Sequence, residues 1–81
     1  MKPAIRSALA LVHGQMLEHQ IYRLRDVYNN TKDGTDEENL LDDALSSMEN
    51  ALHCIRKASR LADLAAANEE AKAKKFTAVQ P

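Results

Sequence analysis

Residues 29–38, NNTKDGTDEE, constrain this chain more than any other stretch. They separate two long runs of helix-forming residues. Asn29 or Asn30 can take the left-handed position that ends a helix, and Gly34 supplies a turn. Thr35 followed by Glu38 is a capping box, S/T-x-x-E, which satisfies the orphan amides that open a helix. Asp36, Glu37 and Glu38 then place negative charge on the positive end of that helix. The chain must therefore run up one helix and return along another.

The first helix is expected to start at Pro3, a residue suited to the first helical position, and to reach about Asn29. The turn occupies residues 30–35. The second helix is expected over about 36–70, within a hairpin of residues 1–76, with residues 77–81 as a frayed tail. Both helices carry apolar or small residues at a 3–4 spacing. On the first these are Ser7, Ala10, Gly14, Leu17, Ile21, Leu24 and Tyr28. On the second they are Leu41, Leu45, Met48, Leu52, Ile55, Ser59, Ala62 and Ala66. Folding at Gly34 sets Leu24 near Leu45, Ile21 near Met48 and Leu17 near Leu52. Gly14 then falls opposite Ile55, which explains a mid-helix glycine that costs about 1 kcal/mol relative to alanine. At the open end, Ala10 is expected to meet Ser59, and Ser7 to meet Ala62.

This pairing leaves apolar surface over. Ile5, Leu9, Val12 and Met16 form a second strip on the first helix, and Leu61 and Leu64 widen the apolar face of the second. Leaving such side chains wet forfeits roughly 1.5–3 kcal/mol each. With 81 residues, the chain is small enough that its stability is marginal without staples or assembly. The single cysteine, Cys54, allows no intrachain disulfide and fits a reducing compartment. The expected architecture is an all-α, antiparallel two-helix hairpin that oligomerises into a four-helix bundle or larger helical assembly. Its interface would use Ile5, Leu9, Val12, Met16, Leu61 and Leu64.

Charge and composition narrow the functions. The formal net charge is −1, which gives no general attraction to nucleic acid or an anionic membrane. A nucleic-acid-binding bundle would have to read phosphate through Arg56, Lys57 and Arg60, and the balanced charge argues against it. No run approaches the ~18 apolar residues of a membrane span. The N-terminal MKPAIRSALALVHGQ is interrupted by His13 and Gln15 and is not ended by a small-x-small cleavage site, so a cytoplasmic protein is expected. From Asp33 to Glu49 there are seven acids and no base, which reads as dipole complementation and solubility.

Chemistry is sparse. His13 and His19 are six residues apart and His53 and Cys54 are adjacent, so neither pair shares a helix face as metal ligands would. Cys54 has no orienting third group at useful spacing, and no Gly-rich phosphate loop is present. No enzyme, metal or cofactor is expected. IYRLRDVYNNTK, residues 21–32, is the best ligand candidate: Tyr22 could stack on a base while Arg23, Arg25 and Lys32 hold phosphates. Arg23 and Arg25 point nearly opposite ways, however. The plainer expectation is that one of them pairs with Asp42, Asp43 or Glu49 across the hairpin.

DALSSMENALHCIRKA, residues 43–58, resembles the second helix of small phage-encoded helical hairpins. Among these are the anti-CBASS sponges, which sequester cyclic oligonucleotide signals of bacterial immunity. In that family a leucine or methionine, a glutamate, one variable residue, an alanine and large apolar residues mark the helix. Here those positions are Met48, Glu49, Asn50, Ala51 and Leu52. The resemblance covers about a fifth of the chain. His53 and Cys54 stand where the family often has a tryptophan. The resemblance implies a homo-oligomer of hairpins, ligand sites between chains and a phage or mobile-element origin. Two functions are thus expected: an inhibitor or adaptor binding a host protein, or a sponge for cyclic nucleotides.

Overall fold

The computed structural model describes residues 1–79, with side chains described through Lys74. It is an extended hairpin of two helices, α1 (Pro3–Asn29) and α2 (Asp36–Val79). Pro3 stands in the first helical turn, where its missing N–H costs nothing. At a rise of 1.5 Å per residue, α1 is about 40 Å long and α2 about 66 Å. The molecule is accordingly a rod, with extents of 72 × 16 × 14 Å.

Every stripe position named from the sequence is buried or half-buried. Ile21, Leu45 and Leu52 form the buried centre, with Leu17, Leu24, Tyr28 and Met48 packed against it. Gly14 lies beneath Ile55 and Leu52. A Cβ at Gly14 would meet Ile55 Cγ2 at 3.4 Å and Leu52 Cδ1 at 3.7 Å, which is ordinary contact. The helices thus approach closely toward the open end, as the small residues there require.

The turn differs from expectation at one point. Neither Asn29 nor Asn30 takes a left-handed conformation; Asn30 has φ −97°. Side chains close the end of α1 instead. The Asn30 Nδ2 amide donates to the Asp26 carbonyl at 2.7 Å and the Thr31 hydroxyl to the Val27 carbonyl at 2.8 Å. With those carbonyls satisfied, the strained backbone is unnecessary. Among the described residues, positive φ falls on Gly34 alone (φ 76°), which turns the chain into α2.

Thr35 caps α2 as expected. Its hydroxyl oxygen accepts from the Glu38 amide at 3.2 Å and donates to the Lys32 carbonyl at 2.8 Å, so it ties the turn to the helix. Thr35→Ala should therefore destabilise the hairpin by about 1 kcal/mol. Thr35→Ser should keep most of it, and a thermal melt of both variants checks this.

The second difference is the length of α2. The expected end near residue 70, followed by a tail from 77, is replaced by a helix that continues to Val79. Residues 80 and 81 lie outside the described residues. The stretch beyond Ala66 is rich in Ala, Glu and Lys, and Glu70 pairs with Lys74 one turn on at 3.5 Å. Propensity and such i,i+4 pairs carry the helix there, not packing. About 13 residues, or roughly 20 Å, extend beyond the level of Pro3.

Candidate functional site

The hairpin has two unlike sides. On one, the helices are laced by ion pairs. Arg25 reaches Glu49 at 2.5 Å, and Arg56 reaches Glu18 at 2.8 Å. The four residues repeat at a heptad interval: Glu18 and Arg25 on α1, Glu49 and Arg56 on α2. Seven residues are nearly two whole turns, so each pair stacks above the other on the same edge. All four side chains are about half exposed, so each pair is worth little in isolation and serves mainly to hold register.

An open groove runs along this side. Near the middle of α1 it is lined by Gln15, Glu18, Tyr22, Arg25, Glu49 and Arg56. Toward the open end it continues past Ser7, Leu11 and Gly14 and is bordered by His53, Arg60 and Asp63. Its floor at that end is polar and hydrogen-bonded. Ser7 donates to Asp63 Oδ1, which leaves Ser59 to donate to the Ser7 hydroxyl at 3.2 Å or the Ser7 carbonyl at 3.3 Å. Ser7 thus meets Ser59 and Asp63, hydrogen-bonded contacts on α2 that the spacing of the stripes did not name. Buried hydroxyls need partners, and this register supplies them.

The expected ligand residues are only partly brought together. Tyr22, three-quarters exposed, and Arg25 share the groove. Arg25 is already neutralised by Glu49, as the cross-hairpin expectation had it. Arg23 is two residues from Arg25, about 200° around α1, and does not reach the groove. Lys32 sits in the turn, well beyond it. The four residues therefore do not form one site within a single hairpin. The Glu18–Arg56 pair was missed from the sequence, although the opposed Glu–Arg and Arg–Glu heptads were its signal.

Tyr28 closes the core beside the turn. The Glu38 carboxylate, then partial burial, then Asp42 and Asp33, push its hydroxyl pKa above the usual 10.0. A pKa raised by folding favours the neutral form in the native state. That contribution is intact below pH 10.0 and is lost as the pH rises through the native value. The melting temperature should fall in that alkaline window, and Tyr28→Phe should lessen the fall.

Away from the groove stand large apolar side chains that the hairpin leaves uncovered. Ile5, Leu9, Val12 and Met16 are 43–59% exposed, and Leu61 and Leu64 are 59% and 62% exposed. All six residues expected at an interface are thus at the surface of the single chain. Cys54 is exposed as well. Among the described residues, no three His, Cys, Asp or Glu side chains gather as a metal would require, and no helix is long and apolar enough to cross a membrane.

No protein family, curated protein or solved structure matches the chain.

Proposed function

We propose that this chain is a non-enzymatic interaction protein that works as a homo-oligomer of hairpins. In this reading it is an inhibitor or adaptor of phage or mobile-element origin, acting in the bacterial cytoplasm on a host or defence component. The observation that carries the reading is the uncovered apolar surface formed by Ile5, Leu9, Val12, Met16, Leu61 and Leu64. A chain of this size has little stability to spare, and this many uncovered aliphatic side chains mark an association surface. Once copies have covered it, the ion-paired side, the acidic stretch near the turn and the overhang of α2 remain for a partner. Light-scattering mass across a range of concentrations tests the oligomer. A folded monomer throughout that range overturns it.

A second reading, the cyclic-nucleotide sponge, draws on Tyr22 standing exposed beside Arg25 in the groove, where a neighbouring copy could add the missing cation. Adding cyclic dinucleotides at 100 times their dissociation constant should stabilise the fold by about 2.7 kcal/mol. An unmoved melting temperature with a full panel of such nucleotides rejects it.

A further inference from the structure

The stripe that α2 buries against α1 is repeated one residue earlier along the same helix. Leu41, Leu45, Met48, Leu52, Ile55, Ser59 and Ala62 face α1; Leu40, Ala44, Ser47, Ala51, Cys54, Ala58 and Leu61 stand beside them, rotated by about 100° and exposed. The second stripe keeps the 3–4 spacing of a packing seam. It lies on the side away from the Arg25–Glu49 and Arg56–Glu18 pairs and is not crossed by any ion pair among the described residues. Its side chains are small in the middle and leucine at each end. Leu40 is 69% exposed and Leu61 59%.

We infer that this seam receives the same seam of a second copy, antiparallel, about a twofold axis that passes between the two α2 helices at the level of Leu52 and His53. This rests on the homo-oligomer proposed above and specifies which face is used and in which direction. Three observations on this surface favour it. The first is size: in this register Leu40 faces Ala65 of the second copy, Ala44 faces Leu61, and Ala51 faces Cys54. Each leucine thereby packs on an alanine, large against small, and the helices can approach closely.

The second is charge. The first half of α2, to Glu49, is acidic, and Arg56, Lys57 and Arg60 follow. Antiparallel pairing lays the acidic half of one copy along the basic segment of the other. Asp43, beside the seam, comes within reach of Lys57 of the second copy. Parallel pairing would set Asp43 against Asp43 and Lys57 against Lys57.

The third is area. The paired part of the rod is about 40 Å long, and its cross-section is 16 × 14 Å. One such face offers roughly 600 Å² before side-chain relief is counted. That approaches the ~800 Å² per partner of a stable specific interface. Leu9 and Met16, at the edge of the same face on α1, enlarge it. The product is a four-helix bundle.

The axis brings the two Cys54 side chains close, about 4.5 Å apart along the helix direction. Wild-type full-length protein, treated with a short bis-maleimide under dilute native conditions, should become crosslinked as dimers in high yield, and denaturation beforehand should abolish this. Ala51→Glu places a carboxylate in the middle of the seam. It should leave helicity intact and weaken dimerisation by at least 100-fold, whereas Leu11→Glu, on the ion-paired side, should leave the mass of the assembly unchanged. An oligomer that does not crosslink through Cys54 and tolerates Ala51→Glu overturns this interface while leaving self-association standing. A monomeric wild type overturns both.

Discussion

Replacing Leu52 by alanine is expected to lower the melting temperature by roughly 12–24 °C. Leu52 is one of three apolar side chains at the buried centre, and it also covers Gly14 across the helix pair. Truncating a buried leucine costs about 2–5 kcal/mol, the lost transfer energy plus a cavity that neighbours fill only in part. Two straight helices have little freedom to collapse, because the ion pairs on one edge and the Ser7–Ser59–Asp63 hydrogen bonds hold their separation. A value near 3 kcal/mol follows, and a domain of 60–100 residues loses about 4–8 °C per kcal/mol. Circular dichroism melts at one protein concentration measure it, since association makes the midpoint depend on concentration. A shift of a degree or two would mean that the packing at this level is not what holds the helices together. Gly14→Ala provides the contrast. Its methyl group would lie at ordinary contact distance, and alanine gains about 1 kcal/mol of helix propensity, so this variant should be neutral or more stable.

The second large effect concerns Leu9→Asp. In an isolated hairpin Leu9 is 43% exposed, and a substitution there should change stability by no more than about 0.5 kcal/mol. In an assembly that covers it, an aspartate must be buried without a partner, which costs several kcal/mol. Each 1.4 kcal/mol is tenfold in affinity, so the dissociation constant should rise by at least about 100-fold. The variant should sediment as single chains at concentrations where the parent is assembled, and should melt earlier. If mass and melting point both match the parent, Leu9 is plain solvent-facing surface and the covered-strip proposal fails.

Some of this architecture needed no coordinates. Every position that the 3–4 spacing named on both helices is buried or half-buried. The Thr35 cap and Gly34 located the fold-back, and the Gly14–Ile55 contact followed from counting outward from that turn. These succeed because helix periodicity and turn chemistry are local, and one turn between two long helices leaves a single antiparallel register to test. Where chemistry allows two local solutions, counting was not enough. Asn30 was expected to end α1 with a left-handed backbone, yet its amide and the Thr31 hydroxyl do the work from ordinary φ values. The length of α2 beyond its partner was underestimated because the stripe disappears after Ala66 while helix propensity does not.

What the amino-acid order determined alone is the pair of helices, their direction, and the excess of apolar surface over what one pair can hide. Only the tertiary structure decided how side chains at the edges meet: Glu18 with Arg56, Ser7 with Ser59 and Asp63, and Arg25 held by Glu49 away from Arg23 and Lys32. The reason is geometric. A periodic pattern gives the face a residue occupies, but a hydrogen bond or ion pair depends on ångström-scale offsets between two helices, and these are set by the packing of all the core side chains together.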